Sequence, residues 1–328
     1  MRGLSALGER EIIKIIRDHL DLMPRMPVPF GDDVSAYDLG KGKLVVLKTD
    51  MLVGKTDVPQ GMSLWQAARK AVVMNISDFA AKGVKPLVLL ASLGLPCSFS
   101  KKDVEQIGEG LNAGAREYGA YVIGGDTGEA SDLVISVSLL GLAENGKMPL
   151  RSGAQVGDIV AVTGFFGKPS AGLKILLGKA RAPTELREEL VKSVLMPHAR
   201  LEEGLALGGI GAVRAAIDSS DGLAWSLHEI AQASKVGFLI DNLSVAEEVK
   251  RFAEANGLDS RELTLYGGEE YELVLTVKPK CWREAAMALE KVGRRLLQIG
   301  RVTADKQVVL KTGRKTFLIE PRGYEHFK

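Results

Sequence analysis

The chain has 328 residues, 46% of them hydrophobic and 26% charged, which suits a folded protein of about two domains with room for substantial cores and argues against a chain disordered throughout. With 43 basic against 41 acidic side chains the net charge is +2, so no broad field draws in nucleic acid or an anionic membrane, and anion binding has to be local. Cys97 and Cys281 stand far apart without a CxxC and the four histidines are scattered, which argues against a disulfide framework or a structural zinc site and fits a reducing cytoplasm.

Glu9, Arg10 and Glu11 precede any long apolar run, so the first residues do not read as a secretory signal. Residues 9 to 22 alternate Ile12, Ile13, Ile15, Ile16 and Leu20 with charges and predict an amphipathic helix closed by the prolines from Pro24 to Pro29. Phe30-Gly-Asp-Asp-Val-Ser35 follows as a loop, and Leu44 to Asp50 reads as a strand ending in an acid. Ser63 is placed as the N-cap of a long helix whose back half, Ala71 to Gly83, carries Asp78 as its only charge between Lys70 and Lys82. On that helix Val72, Ile76, Phe79 and Ala80 form a buried stripe, while Asn75 and Asp78 share another face. That polar face serves either a ligand or plain solvent, ending at Lys82.

Pro86 to Leu95 reads as a central strand, and the longest uncharged stretch, Pro86 to Ser100, is too short and too marked by glycine and proline to span a bilayer. A helix from about Lys101 to Tyr118, a strand from Ala120 to Asp126 and a strand from Leu133 to Leu142 complete one half. Ala143 to Gly157 is the candidate linker, dividing the chain into residues 1–147 and 148–328. Beyond it we expect strands at Asp158 to Thr163, Val213 to Asp218, Val236 to Ile240, Glu270 to Val277, Leu296 to Val302, Gln307 to Leu310 and Thr316 to Ile319. Helices are expected at Pro169 to Gly178, Glu185 to Leu195, from Ser220, around Val245 to Ala255 and at Trp282 to Val292. The fold class is therefore α/β.

Asp32 and Asp33, Asp50, Asp126, and Asp218 with Asp221 all fall where a strand is expected to yield to a loop or helix, the place where α/β sheets gather ligands. Singly, each reads more naturally as a turn former or cap. As a set they have few cations near them in sequence, and clustered carboxylates without cationic partners repel unless hard divalent ions neutralise them. Several Mg²⁺ ions bridging a polyphosphate is the inference. Gly141-x-x-x-x-Gly146-Lys147 is followed by Met148 rather than Ser or Thr, so it is no P-loop.

Gly31-Asp-Asp33, Thr49-Asp50, Asn75-x-Ser-Asp78, Gly124-Gly-Asp-Thr127, Arg151-Ser-Gly-Ala154, Asp218-Ser-Ser-Asp-Gly222, Gly267-Gly-Glu-Glu-Tyr-Glu-Leu273 and Gly323-Tyr-Glu-His-Phe327 run nearly end to end in an order that resembles the thiamine-monophosphate kinase family. The resemblance implies the two-domain fold of the aminoimidazole-ribonucleotide-synthetase-like superfamily. Its N-terminal ferredoxin-like α/β domain would form a barrel with its copy across a homodimer, and a C-terminal α/β domain would pack against it. It implies Asp33, Thr49, Asp50, Asp78, Asp126, Asp218 and Asp221 as magnesium ligands. Gly125, Asp126, Arg151 and Ser220 would hold ATP, the co-substrate. Asp57, Glu269 and Tyr324 would face thiamine monophosphate, and Asp78, Asp126 and Arg151 would carry catalysis. Lys48 departs from the pattern, because bacterial members have Ser at that place and an ammonium cannot ligate a metal as a hydroxyl can; Asp57 likewise replaces a His, and Glu270 an Asp. Two alternatives remain: another ATP-using member of the superfamily, and a non-catalytic nucleotide-binding regulator. No Cys precedes Cys97 and none lies in the tail, which disfavours the members that use one there.

Overall fold

A computed structural model describes residues 7–327. Its first half contains α1 (Glu9–Arg17), β1 (Ser35–Gly40), β2 (Lys43–Val53), α2 (Gly54–Asp57), α3 (Leu64–Ala81), β3 (Pro86–Leu95), α4 (Lys101–Glu117), β4 (Tyr121–Glu129) and β5 (Val134–Glu144). These strands form a five-stranded sheet in the order β1-β2-β5-β3-β4. β5 lies antiparallel between β2 and β3, giving a split β-α-β unit, and β4 lies parallel beside β3. That last pairing differs from a ferredoxin-like sheet and follows from the helical crossover through α4, which returns the chain in the same direction. Gly125 sits where a Cβ would come within 1.8 Å of the Ala91 carbonyl oxygen, so the β3–β4 approach requires glycine there.

The second half contains β6 (Ile159–Val162), α5 (Lys168–Leu176), α6 (Thr184–Leu195), α7 (Leu201–Gly208), β7 (Val213–Ser219), α8 (Leu223–Ser234), β8 (Gly237–Ile240), α9 (Glu247–Asn256), α10 (Ser260–Tyr266), β9 (Glu272–Val277), α11 (Trp282–Lys291), β10 (Leu297–Thr303), β11 (Val308–Thr312) and β12 (Lys315–Leu318). Its seven strands run β12-β11-β8-β10-β6-β9-β7, and only β11 and β8 pair in parallel. The sheets are therefore largely antiparallel, and the strand-end placement of the acids needs correcting. Asp50 lies inside β2, which stays paired to β5 as far as Val53, and Asp126 lies inside β4, which stays paired to β3 as far as Glu129.

α3 occupies the centre. Ser63 and Gln66 form a reciprocal capping box at its start, and every residue from Ala67 to Ala81 except Met74 is buried. Of the two readings left open for its polar face the solvated one fails, because Asn75 and Asp78 are buried, and Arg69, Lys70 and Lys82 are themselves buried. The inner face of the first sheet supplies Val46, Leu52, Leu89, Ile135, Val137 and Leu139 to a hydrophobic cluster with Val72, Ile76 and Phe79 of α3, and Ala216, Leu273 and Leu275 of the second sheet join the same cluster. One core thus spans both sheets. α7 lies so close to α3 that a Cβ on Gly204 would stand 1.9 Å from the Ala80 carbonyl oxygen. Gly204→Ala is expected to lower stability by about 1–3 kcal/mol through overpacking, read as a lower thermal midpoint.

α1 ends at Arg17 rather than at 22, and none of its residues is fully buried. α8 begins at Leu223 rather than Ser220, because Gly222 takes the left-handed φ of 112° at the N-cap position.

Candidate active site

Three carboxylates from distant parts of the chain meet on α3. Asp33, Asp78 and Asp218 each present an oxygen within 4.8 Å of the others, and all three are buried. Asp33 comes from the loop before β1, Asp78 from α3 and Asp218 from β7. Ser77, beside Asp78, donates its hydroxyl to Asp218 Oδ2 at 2.7 Å and so ties helix to strand. Asn75 Oδ1 accepts the Asp50 N–H at 2.9 Å while its amide donates to the Ala71 carbonyl, fixing β2 against α3.

These acids are not short of cations, contrary to the expectation from sequence. Lys82 Nζ lies 2.6 Å from Asp32 Oδ1 and 2.8 Å from Asp33 Oδ2, and donates to the Ala216 carbonyl at 2.9 Å. Arg151 donates through Nε to Asp33 Oδ1 at 2.6 Å, through its backbone N–H to Asp32 Oδ2 at 2.9 Å and through a terminal nitrogen to the Gly31 carbonyl at 3.0 Å. Lys48 Nζ stands 3.1 Å from both Asp50 Oδ1 and Asp78 Oδ2. Only chain folding makes these meetings, some of them between residues more than a hundred positions apart.

The electrostatics differ across the cluster. Burial pushes the Asp33 carboxyl up, but Lys82 and Arg151 outweigh it and hold the group below the usual range. Asp78 goes the other way: burial raises it strongly, Lys48 opposes, and Asp218, Asp50 and Asp33 add repulsion. Asp218 is pushed up to about 7, first by burial and then by Asp33, against the Ser77 hydrogen bond, Lys48 and Arg151. Burial works against the Lys48 ammonium, but Asp78, Asp50 and Asp218 prevail and keep it charged. Hard oxygen donors whose ionisation is held back by burial suit Mg²⁺, which would relieve that cost, and Ser77 and the cations leave lone pairs free on all three carboxylates. The residues therefore fit a magnesium site.

Two expected ligands lie elsewhere. On β2, Lys48 and Asp50 face α3 with the buried Val46 and Leu52, whereas Thr49 faces outward with Leu47 and Met51, bonded to Ser138 Oγ at 3.1 Å. Asp126 is exposed on β4 and pairs with Ser92, on that same outer face. Within one chain, then, Asp33, Asp50, Asp78 and Asp218 gather on the inner side, and Thr49 and Asp126 lie across the sheet from them. Asp221 is outside the triad; burial and Glu9 raise its carboxyl to about 6, with Arg10 and Arg151 opposing.

The expected acceptor residues do come together. Lys70 Nζ donates to the Asp57 carbonyl at 2.9 Å and pairs with Glu269. Tyr324 feels both Asp57 and Glu269, although burial is the larger cause of its raised phenol. Its backbone N–H donates to the Asp221 carbonyl at 3.1 Å. Glu269 and Tyr271 have left-handed φ values of 64° and 51°, held by N–H bonds to the carbonyls of Ser220 and Ser219. Ser220 itself is exposed. Lys82, Lys70 and Ser77 escaped the sequence reading, although Lys82 stands one turn after Asp78, a spacing that puts both on neighbouring positions of one face.

The family models for AIR synthase related protein match this chain, the N-terminal domain over residues 31–143 and the C-terminal domain over residues 155–313. A thiamine-monophosphate kinase of Nitrosopumilus maritimus is 36% identical over 325 residues, covering 99% of this chain and 100% of its own length. The chain belongs to the thiamine-monophosphate kinase family. A second kinase of this family, from Pyrococcus abyssi, is also 36% identical, across 98% of this chain and 96% of that protein. Among solved structures, AaThiL complexed with AMPPCP and TMP superposes with a TM-score of 0.86 at 29% identity, covering 99% of each chain. Both the two-domain AIR-synthase-like fold and the kinase family expected from the motif order are thereby borne out.

Proposed function

We infer that this chain transfers the γ-phosphoryl group of ATP to thiamine monophosphate, giving thiamine diphosphate and ADP. The observation that carries the reading is end-to-end similarity to thiamine-monophosphate kinases, including a neighbour complexed with AMPPCP and TMP. The convergence of Asp33, Asp78 and Asp218 supports it with a place for metal. The acceptor is a phosphate oxygen already ionised near neutral pH, so no general base is required, and positioning with charge neutralisation does the chemistry. Bound Mg²⁺ would supply charge stabilisation on the transferred group. Asp33, Asp50, Asp78 and Asp218 on the inner side, together with Asp221 outside the triad, are the residues assigned to hold it. Arg151, Gly125 and Ser220 are assigned to ATP, and Asp57, Glu269 and Tyr324 to the thiamine portion.

The same reading includes a homodimer. The outer face of the first sheet and its β4 edge expose Leu47, Met51, Leu90, Tyr121, Ile123 and Leu142, an apolar surface that a second copy would cover. Thr49 and Asp126 lie in that face and would then join a site completed by the pairing. A cytoplasmic location is supported by two free cysteines. Among the described residues no helix is long and apolar enough to cross a membrane.

Incubation with ATP and Mg²⁺ is expected to release ADP only when thiamine monophosphate is added. Nucleotide binding without turnover would favour the regulator instead, and ADP release indifferent to that acceptor would favour another ATP-using reaction.

A further inference from the structure

Lys48 projects from β2 into the acidic cluster, on the same side as Asp50 and facing Asp78 of α3. Its ammonium is equidistant, at 3.1 Å, from Asp50 Oδ1 and Asp78 Oδ2, so a fixed positive charge already bridges the strand and the helix. Lys82 and Arg151 pair with Asp32 and Asp33 at the other end of the cluster, so Lys48 is the cation that faces Asp50 and Asp78.

We propose that Lys48 is a built-in cation standing where a divalent ion would otherwise bridge Asp50 and Asp78, so the nucleotide-free site holds one divalent ion fewer than it would with a neutral residue at position 48. The inference rests on the reading of these carboxylates as a magnesium site. An ammonium cancels charge and holds both carboxylates in register, as an ion would, but it offers no coordination position to a phosphate oxygen. Lys48 is thus a positioning residue. It fixes Asp78 for the ions that remain, and it makes part of the site independent of metal concentration.

Mn²⁺ binding to the nucleotide-free chain, counted from the free-ion electron paramagnetic resonance signal, tests this with wild type, Lys48→Arg, Lys48→Ser and Lys48→Gln. The Ser and Gln variants are expected to bind one more Mn²⁺ per chain than wild type, and their thermal midpoints should rise more steeply with Mn²⁺. Lys48→Arg, which keeps the charge, should match wild type in both. Equal stoichiometry in all four folded proteins overturns the proposal. So do neutral variants that fail to fold with or without Mn²⁺, because an ion could not then replace the ammonium. Neutral variants that fold only when Mn²⁺ is present support it. Failure of the underlying kinase reading looks different: wild type would bind no Mn²⁺ and release no ADP in response to thiamine monophosphate, whereas turnover with unchanged stoichiometry sinks this inference alone.

Discussion

Asp78→Asn is expected to reduce ADP formation dependent on thiamine monophosphate by on the order of 10³-fold while leaving the fold intact. The substitution preserves shape and removes a charge that burial, Asp218, Asp50 and Asp33 all disfavour. Lys48 keeps Asp50 as a partner, so no cation is stranded. Melting temperature should therefore stay level or rise, which separates a lost ligand from a damaged core. A steady-state assay across a Mg²⁺ titration, run beside circular dichroism, reads both. Near-normal turnover in a folded Asp78→Asn protein would remove this residue from the chemistry.

Lys82→Met carries the largest expected cost in stability, about 3–5 kcal/mol, because it strands buried carboxylates that the ammonium had paired. Asp32 and Asp33 both face Lys82, and the Ala216 carbonyl loses its donor as well. Methionine keeps the length of the stem, so packing changes little. Urea unfolding at neutral pH should show the loss, and a shift under about 1 kcal/mol would mean that Arg151 alone suffices. The deficit should also depend on pH. Since the folded Asp33 carboxyl lies below its ordinary value, its ion pairs contribute above that value, and the contribution is lost as pH falls through the folded one. Mutant and wild type should consequently converge in acid.

Much of the fold was legible because local chemistry and tertiary packing agree. The strand at Pro86–Leu95 and the Ser63 cap of α3 lie where hydrophobic runs and capping residues place them. Two of the missed elements lack the signal that a reading of local pattern needs. α7 contains Gly204, a poor helix former that its contact with α3 demands, and β1 has a single buried residue, Ala36, and so no alternating pattern. At the site, the acids could be named from motif order, but their cations could not. Lys82 looks like a surface charge closing a helix until Asp32 and Asp33 arrive from the preceding loop. One correction was available from geometry alone. Thr49 and Asp50 are adjacent on a strand, and adjacent strand residues face opposite sides.

A single buried rod, α3, carries Asp78 and touches both sheets, with Ser77 bonded to Asp218 on one side and Asn75 bonded to Asp50 on the other. The two halves therefore cannot swing apart like a jaw without tearing a continuous apolar interior. At the edge of the site the attachments are lighter: α1 rests on Trp225 and Glu229 through Arg10, and Glu9 accepts the backbone N–H of His326. The acids that would hold a metal are thus set in the most rigidly packed part of the chain, and the α1 contacts lie outside it.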